Sequence, residues 1–490
     1  MFDRGVYGSK AHENWRPVLM PEALTDVLEE FTRYVNNDIP FRLIYLLDMT
    51  LVGRSTVKQH FRPLMDEITN DMIDEESKKM RLEQGFMYPI HSDRRSAVRA
   101  LVEERVQYAI FSHRWLEEGE PSFKDVEQRN ESAPGYAKLG HFCEVAQKGH
   151  GMKFAWSDTC CIDKSSSAEL DESIRSMFRW YRNSAICIVH LAQSTSTGDM
   201  TDDEWFTRGW TLQELIAPKK TKFYNKDWEP LTSLHYDKGE YGDEDILSAI
   251  SKRTGISRRN LLHFDPGPFF LKERMEWAAG RRATRDEDIA YSLTGIFNVG
   301  LQIAYGEGAD RAFVRLIEAL MQVTSDTDIL HWTGKAAVLP HTHALPPSPA
   351  AYRVKSISGS RPRGRFAMTS SGFQIKLAVF PSRLVSTDQE TGVATLACDL
   401  AGMHEVILKV EVLERDALQM HADDGYNWMI GVFNYMDTLA GPKIAPISGC
   451  YLLMTSSLSP ECIKLPTRDV ITFEMSEMVF DVKYLQTVYL

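Results

Sequence analysis

The chain has 490 residues, 43% of them hydrophobic and 25% charged, with a formal net charge of −12. That length holds two or three domains with sizeable cores, and the acidic balance speaks against a general nucleic-acid binder or a binder of anionic membranes. No apolar run approaches a bilayer span, the opening Met-Phe-Asp-Arg-Gly lacks the apolar core of a signal peptide, and seven scattered cysteines read as reduced thiols, so a cytoplasmic protein without a membrane span is expected.

Residues 1–100 read as mainly helical. Leu24, Val27, Leu28, Phe31 and Val35 recur at helical spacing after Pro21, the run Phe41 to Leu47 suits a strand, and the charged stretch 65–84 suits a solvated helix. Residues 101–230 alternate strand and helix. Tyr108–Ser112, Lys153–Trp156, Ala185–Leu191 and Thr221–Tyr224 are short apolar runs fit for buried strands. Between them lie two helical stripes, Tyr136/Leu139/Phe142/Cys143/Ala146 and Leu170/Ile174/Met177/Phe178/Tyr181, and a third helix capped by Asp202 or Asp203 and stopped by Pro218. This β-α-β-α-β-α-β order predicts an α/β domain, a mostly parallel sheet with helices on both faces.

Residues 231–335 return to helix as an extension of that domain. Thr284 and Glu287 fit a capping box, and a further helix starts near Gly308 with Phe313, Leu316, Ile317, Leu320 and Met321 inward. Pro340, Pro346, Pro347 and Pro349 mark 339–349 as a linker. Residues 350–490 read as a C-terminal antiparallel β domain, with strands at Val406–Leu413, Val470–Met475 and Val479–Tyr484.

Several long motifs follow these strands in order: Phe-Ser-His-Arg-Trp (111–115), Gly-Tyr-Ala-Lys-Leu (135–139), Trp-Ser-Asp-Thr-Cys-Cys-Ile-Asp-Lys (156–164), Ser-Met-Phe-Arg-Trp-Tyr (176–181) and Arg-Gly-Trp-Thr-Leu-Gln-Glu-Leu-Ile-Ala-Pro (208–218). With them, Tyr108–Tyr224 resembles the HET domain of fungal heterokaryon-incompatibility proteins, and the blocks 276–297 and Tyr-Gly-Glu-Gly (305–308) look like the usual continuation. His113 departs from the tyrosine more usual there. The order of elements also resembles, more remotely, a TIR domain, which implies a TIR/flavodoxin-like fold. It places Glu214 on the glutamate with which many TIR domains cleave NAD, although Trp210 and Glu214 stand four apart here against three there. The family implies a programmed cell-death effector. The TIR likeness implies NAD as substrate and control by self-association or by an allelic or sensor partner, with the β tail as a plausible cover.

Loss of nicotinamide from NAD passes through an oxocarbenium-like ribose, and its pyridinium leaving group needs no general acid, so a single carboxylate suffices. Glu214 is therefore the candidate catalyst, against the alternative of a salt-bridged structural glutamate. Ser112, His113, Arg114 and Trp115 follow the first strand, where parallel sheets open their ligand crevice and Arg114 suits a phosphate, or else form a tight turn. Asp158 and Asp163 are candidates for ribose hydroxyls or for organising their loop. Trp205 and Trp210 are candidates to stack on a base, one of them being expected in the core, while Arg208 and Gln213 suit phosphate and hydroxyls or simple pairing. A cysteine nucleophile at Cys160 or Cys161 with His113 as base is the rival chemistry. The cysteines and His141 have no familiar zinc spacing, so no metal and no cofactor are expected. The cluster Arg281, Arg282, Arg285 reads more simply as internal ion pairs than as a phosphate site. A non-catalytic death-signalling module that self-associates or binds a partner is the second function class.

Overall fold

The computed structural model describes residues 22–84, 94–338, 344–354, 366–370, 372–400, 404–420, 425–444, 447–456, 459–474 and 478–490. Two compact units form: one takes the chain to Phe41 plus Val52–Gln107, the other Arg42–Leu51 plus Tyr108–Leu490. The first is helical, with α1 (Glu22–Asn37), α2 (Arg54–Met65), α3 (Asn70–Gln84) and α4 (Arg94–Arg105). Val27, Phe31 and Val35 of α1 and Leu101 and Val102 of α4 are buried, as their helical spacing requires.

The second unit is built on a six-stranded sheet. Its strands are β1 (Arg42–Tyr45), β2 (Thr50–Gly53, of which Thr50 and Leu51 belong to this unit), β3 (Ala109–His113), β4 (Phe154–Trp156), β5 (Ile186–His190) and β6 (Thr221–Tyr224), in the order β2-β1-β4-β3-β5-β6. Strands β3 to β6 are buried along their whole length and pair in parallel, which is why they read as unbroken apolar runs. The sheet as a whole is mixed, because β1 runs antiparallel to β4 with Ile44 opposite Ala155. Two helices, α5 (Phe123–Glu127) and α6 (Tyr136–Glu144), connect β3 to β4; α7 (Ser167–Asn183) connects β4 to β5; α8 (Thr211–Ile216) connects β5 to β6. The chain leaves β3 for one neighbour, β4, and then crosses to the other, β5. Such a reversal opens a crevice beyond the carboxyl ends of the strands.

The single helix expected before Pro218 is two pieces. Asp203 caps a 3₁₀ turn, Glu204–Thr207, by accepting from Trp205 N, and α8 starts afresh at Thr211. Downstream come α9 (Glu244–Thr254), α10 (Arg258–Leu262), α11 (Leu271–Ala278), α12 (Asp288–Tyr291), α13 (Thr294–Phe297) and α14 (Ala309–Val323). The capping box expected at Thr284 and Glu287 does not form. The Glu287 carboxylate instead accepts from the amides of Gly306 and Gly308, which a tight turn leaves free.

The C-terminal part is an antiparallel sheet around the long strand Gly372–Asp388, which pairs with Phe366–Thr369, Val393–Leu400, Tyr426–Val432 and Leu485–Tyr489. Strands at His404–Glu411 and Ile471–Glu474 fall where the sequence suggested them. Over 479–484 the expectation needs correcting: Asp481 accepts from Lys483 N and bends Val482–Tyr484 into a 3₁₀ turn, and the strand starts at Leu485. The linker expectation is corrected too. Residues 339–343 lie outside the described residues, but Ala344, Leu345 and Pro346 are buried. Pro349 opens a 3₁₀ turn to Tyr352, whose hydroxyl donates to Ile329 O at 3.0 Å. A proline whose fixed φ starts a turn is indistinguishable in sequence from one that stiffens a linker.

Among the described residues no helix is long and apolar enough to cross a membrane. All seven cysteines are buried and free.

Candidate functional site

One cavity of about 290 Å³ lies at the carboxyl ends of β3 and β4. His113 and Trp115 reach it from the turn after β3; Asp158, Ile162 and Lys164 from the loop after β4; Ile174 and Met177 from α7. Arg208, Trp210 and Glu214 close it from the segment around α8, and Arg285, Asp288 and Tyr305 from the downstream helical extension.

Glu214 sits on one side, 5% exposed. Its Oε2 accepts from the Ser112 hydroxyl at 2.5 Å, and that hydroxyl accepts from Trp205 Nε1 at 2.8 Å. A fully buried tryptophan thus fixes the serine, and the serine fixes the carboxyl. Burial pushes the Glu214 carboxyl up to about 8, with the negative Asp158 adding to the shift and Ser112 and Arg208 opposing it. A carboxyl of this kind is largely protonated at neutral pH and ionises when a cation arrives beside it.

Two further carboxyls face the same space. Asp158 accepts from Trp115 Nε1 at 3.0 Å and stands 3.7 Å from His113 Nε2. Asp288 accepts from the Tyr305 hydroxyl at 2.8 Å, and burial raises its carboxyl while the Trp210 indole and Tyr305 lower it. Removing that hydroxyl with Tyr305→Phe strips a buried carboxyl of a donor. The expected loss of stability is about 1.5–3 kcal/mol, measured by denaturant unfolding.

The segment carrying Glu214 is docked by the downstream chain. Gly209 N donates to Arg282 O and Arg282 N to Thr207 O, each at 2.7 Å. The buried Arg281 guanidinium donates to Arg208 O at 2.8 Å and to Thr211 Oγ1 at 2.9 Å, and burial pushes it down to about 9. Among the described residues the basic cluster 281–285 therefore does not consist of ion pairs: Arg281 spends its donors on neutral oxygens, and Glu214, the acid in the first turn of α8, is held by Ser112 instead.

Of the residues the sequence singled out, His113, Trp115, Asp158, Arg208, Trp210 and Glu214 share the cavity, and Ser112 lies behind Glu214. Four stand away from it. Arg114 pairs with Glu204 at 2.8 Å. Asp163 caps its own turn through Ser165, with N···O 3.0 Å. Trp205 is wholly buried in the core, and Gln213 is buried with its side-chain nitrogen unbonded. His113 stacks on Phe111 with ring centroids 4.0 Å apart, has no hydrogen-bond partner on either nitrogen, and is kept neutral by burial. The thiol reading fails on burial: Cys160 is fully buried, and its hydrogen bond with the Cys161 thiol together with desolvation drives its pKa well up, away from the thiolate. Among the described residues no cluster of His, Cys, Asp and Glu is placed to hold a metal. Arg285, which the sequence set aside as part of an ion-pair cluster, lines the cavity, and Lys164, Asp288 and Tyr305 were missed. The only signal for the last two was that their motifs sit in the blocks 276–297 and 305–308, which resemble the usual continuation of such domains.

Residues 108–203 match the family model "Heterokaryon incompatibility protein (HET)". The chain is also 44% identical over 227 residues to the vegetative incompatibility protein HET-E-1 of Podospora anserina, an alignment that covers 44% of this chain and 16% of that protein. The chain thus spans about a sixth of the relative's length. No solved structure matches the chain.

Proposed function

We propose that this chain is a heterokaryon-incompatibility effector that acts in the cytoplasm by hydrolysing NAD to nicotinamide and ADP-ribose in a TIR-like site. The observation that carries the reading is Glu214, a buried carboxyl held by Ser112 at the edge of a cavity whose aromatic rings belong to Trp115, Trp210 and Tyr305. An indole or phenol face takes a flat cationic ring, and the carboxyl beside it stabilises positive charge as that ring departs. In the reaction the bond from ribose C1′ to the nicotinamide nitrogen breaks, and the bonding pair leaves with nicotinamide. Water adds to C1′ and gives up one proton, which the ionised Glu214 carboxylate accepts. The strand order β4-β3-β5-β6 supports the TIR/flavodoxin-like comparison, and the likeness to a protein named for vegetative incompatibility supports the biological role.

The second reading is a non-catalytic module that signals death by self-association or by binding an allelic or sensor partner. One observation favours it: an uncharged glutamate bonded to a buried serine is also what a purely structural carboxyl looks like. Incubating the folded protein with NAD between pH 7 and 9 separates the two. Release of nicotinamide, followed by chromatography, is the expected result, and its absence throughout that range removes the enzymatic reading.

A further inference from the structure

Three cations line the cavity: Lys164, Arg208 and Arg285. Lys164 places its ammonium 3.8 Å from the centre of the Trp115 ring, and Arg285 its guanidinium 4.1 Å from the centre of Tyr305. The half-buried Arg208 side chain has no hydrogen bond or ion pair among the described residues, and neither of the other two forms an ion pair there. The three carboxyls beside them are satisfied by neutral donors instead. Asp158 takes the Trp115 indole, Glu214 the Ser112 hydroxyl and Asp288 the Tyr305 hydroxyl. Two other basic side chains of this domain are paired in contrast, Arg114 with Glu204 and Lys138 with Glu120. Acids occupied by neutral donors and cations left over are the arrangement of a site that expects an anion from outside.

Two of these cations are also preset. An aromatic face beneath a guanidinium or ammonium restricts its rotamers while leaving the N–H groups directed outward. At about 290 Å³ the cavity is at the small end for a ligand site, room for one end of a dinucleotide, so the charged middle of such a ligand would lie at the mouth.

We infer that Lys164, Arg208 and Arg285 form a clamp for the diphosphate of a nucleotide whose other end enters the cavity toward Glu214. The inference rests on the NAD reading for the identity of that other end, and deepens it by giving phosphate recognition to these three residues. It removes Arg114 from that role, and it makes the helical extension part of the site through Arg285, beyond the 108–203 segment that matches the family model.

The test is calorimetric titration of the full chain with ADP-ribose, inorganic pyrophosphate and nicotinamide, with no turnover involved. ADP-ribose affinity is expected to fall about tenfold in each of Lys164→Ala, Arg208→Ala and Arg285→Ala, the scale of one charge-assisted contact, and to weaken with added salt. Pyrophosphate should compete with ADP-ribose, nicotinamide binding should not change, and Arg114→Ala should bind ADP-ribose as the parent does. The clamp is overturned if the three variants bind ADP-ribose like the parent, or if they consume NAD with an unchanged KM. ADP-ribose binding that depends on the three cations in a protein that never consumes NAD upholds the clamp and defeats the hydrolase.

Discussion

Glu214→Gln is expected to lower NAD turnover by about 10²–10³, the loss that follows removal of one preorganised charge, and at the same time to stabilise the protein at alkaline pH. The second effect has a definite sign. The folded-state value near 8 lies above the ordinary 4.5, so the proton on Glu214 belongs more tightly to the folded protein. Its stabilising contribution is complete below pH 4.5 and is lost as the pH rises through 8, where a buried charge must be carried. The loss is on the order of 5 kcal/mol, since each tenfold change in proton affinity is worth about 1.4 kcal/mol. Glutamine keeps the shape and cannot ionise. The stability of the variant relative to the parent should therefore climb between pH 5 and 9. Activity in the parent runs the other way, because the chemistry needs the ionised carboxylate: kcat/KM should rise with pH toward a plateau above 8. Urea unfolding of both proteins at pH 5, 7 and 9 reads the first effect, and nicotinamide release reads the second. A variant with parental turnover, or a stability difference flat in pH, would refute the role given to this carboxyl.

Only part of this behaviour was legible in the sequence. Glu214 stood out because its motif follows a strand and carries a tryptophan one helical turn earlier, both local signals. Its altered acidity depends on burial and on Asp158, from the loop after β4, and no spacing rule supplies either. The four parallel strands were legible as unbroken apolar runs, since strands covered on both faces have no polar side to alternate. Strand β1 was legible as a strand, but its place in this sheet was not, because pairing with β4 spans more than a hundred residues. Arg114 looked like a phosphate ligand until Glu204 neutralised it. Thr284 and Glu287 had the spacing of a capping box, yet two amides from the Gly306–Gly308 turn competed for the same carboxylate and won. Both glycines there have left-handed φ, 95° and 84°, which turn their N–H groups inward. Local patterns name the groups available; the long-range partner decides what each group does.

Gly295→Ala tests the packing that holds one wall of the cavity. Gly295 lies in α13, within the run Leu-Thr-Gly-Ile-Phe, against Phe178 of α7. A Cβ built there falls 2.3 Å from Phe178 Cβ and 2.8 Å from its Cγ. The nearest offender is the atom at the root of the side chain, so no rotamer of Phe178 relieves it, and α7 must move as a body. One residue and one turn earlier on α7, Met177 and Ile174 line the cavity. The substitution is expected to destabilise by about 1–3 kcal/mol, the range for overpacking a tight contact, and to raise KM by displacing those two side chains. Phe178→Leu should not rescue it, because leucine keeps the Cβ. Gly300→Ala is the control: no atom lies within 4 Å of the added carbon, and it should unfold at the parental denaturant midpoint. If the two alanine variants unfold together, α13 does not press on α7 in the way described, and the wall of the cavity is set by something else.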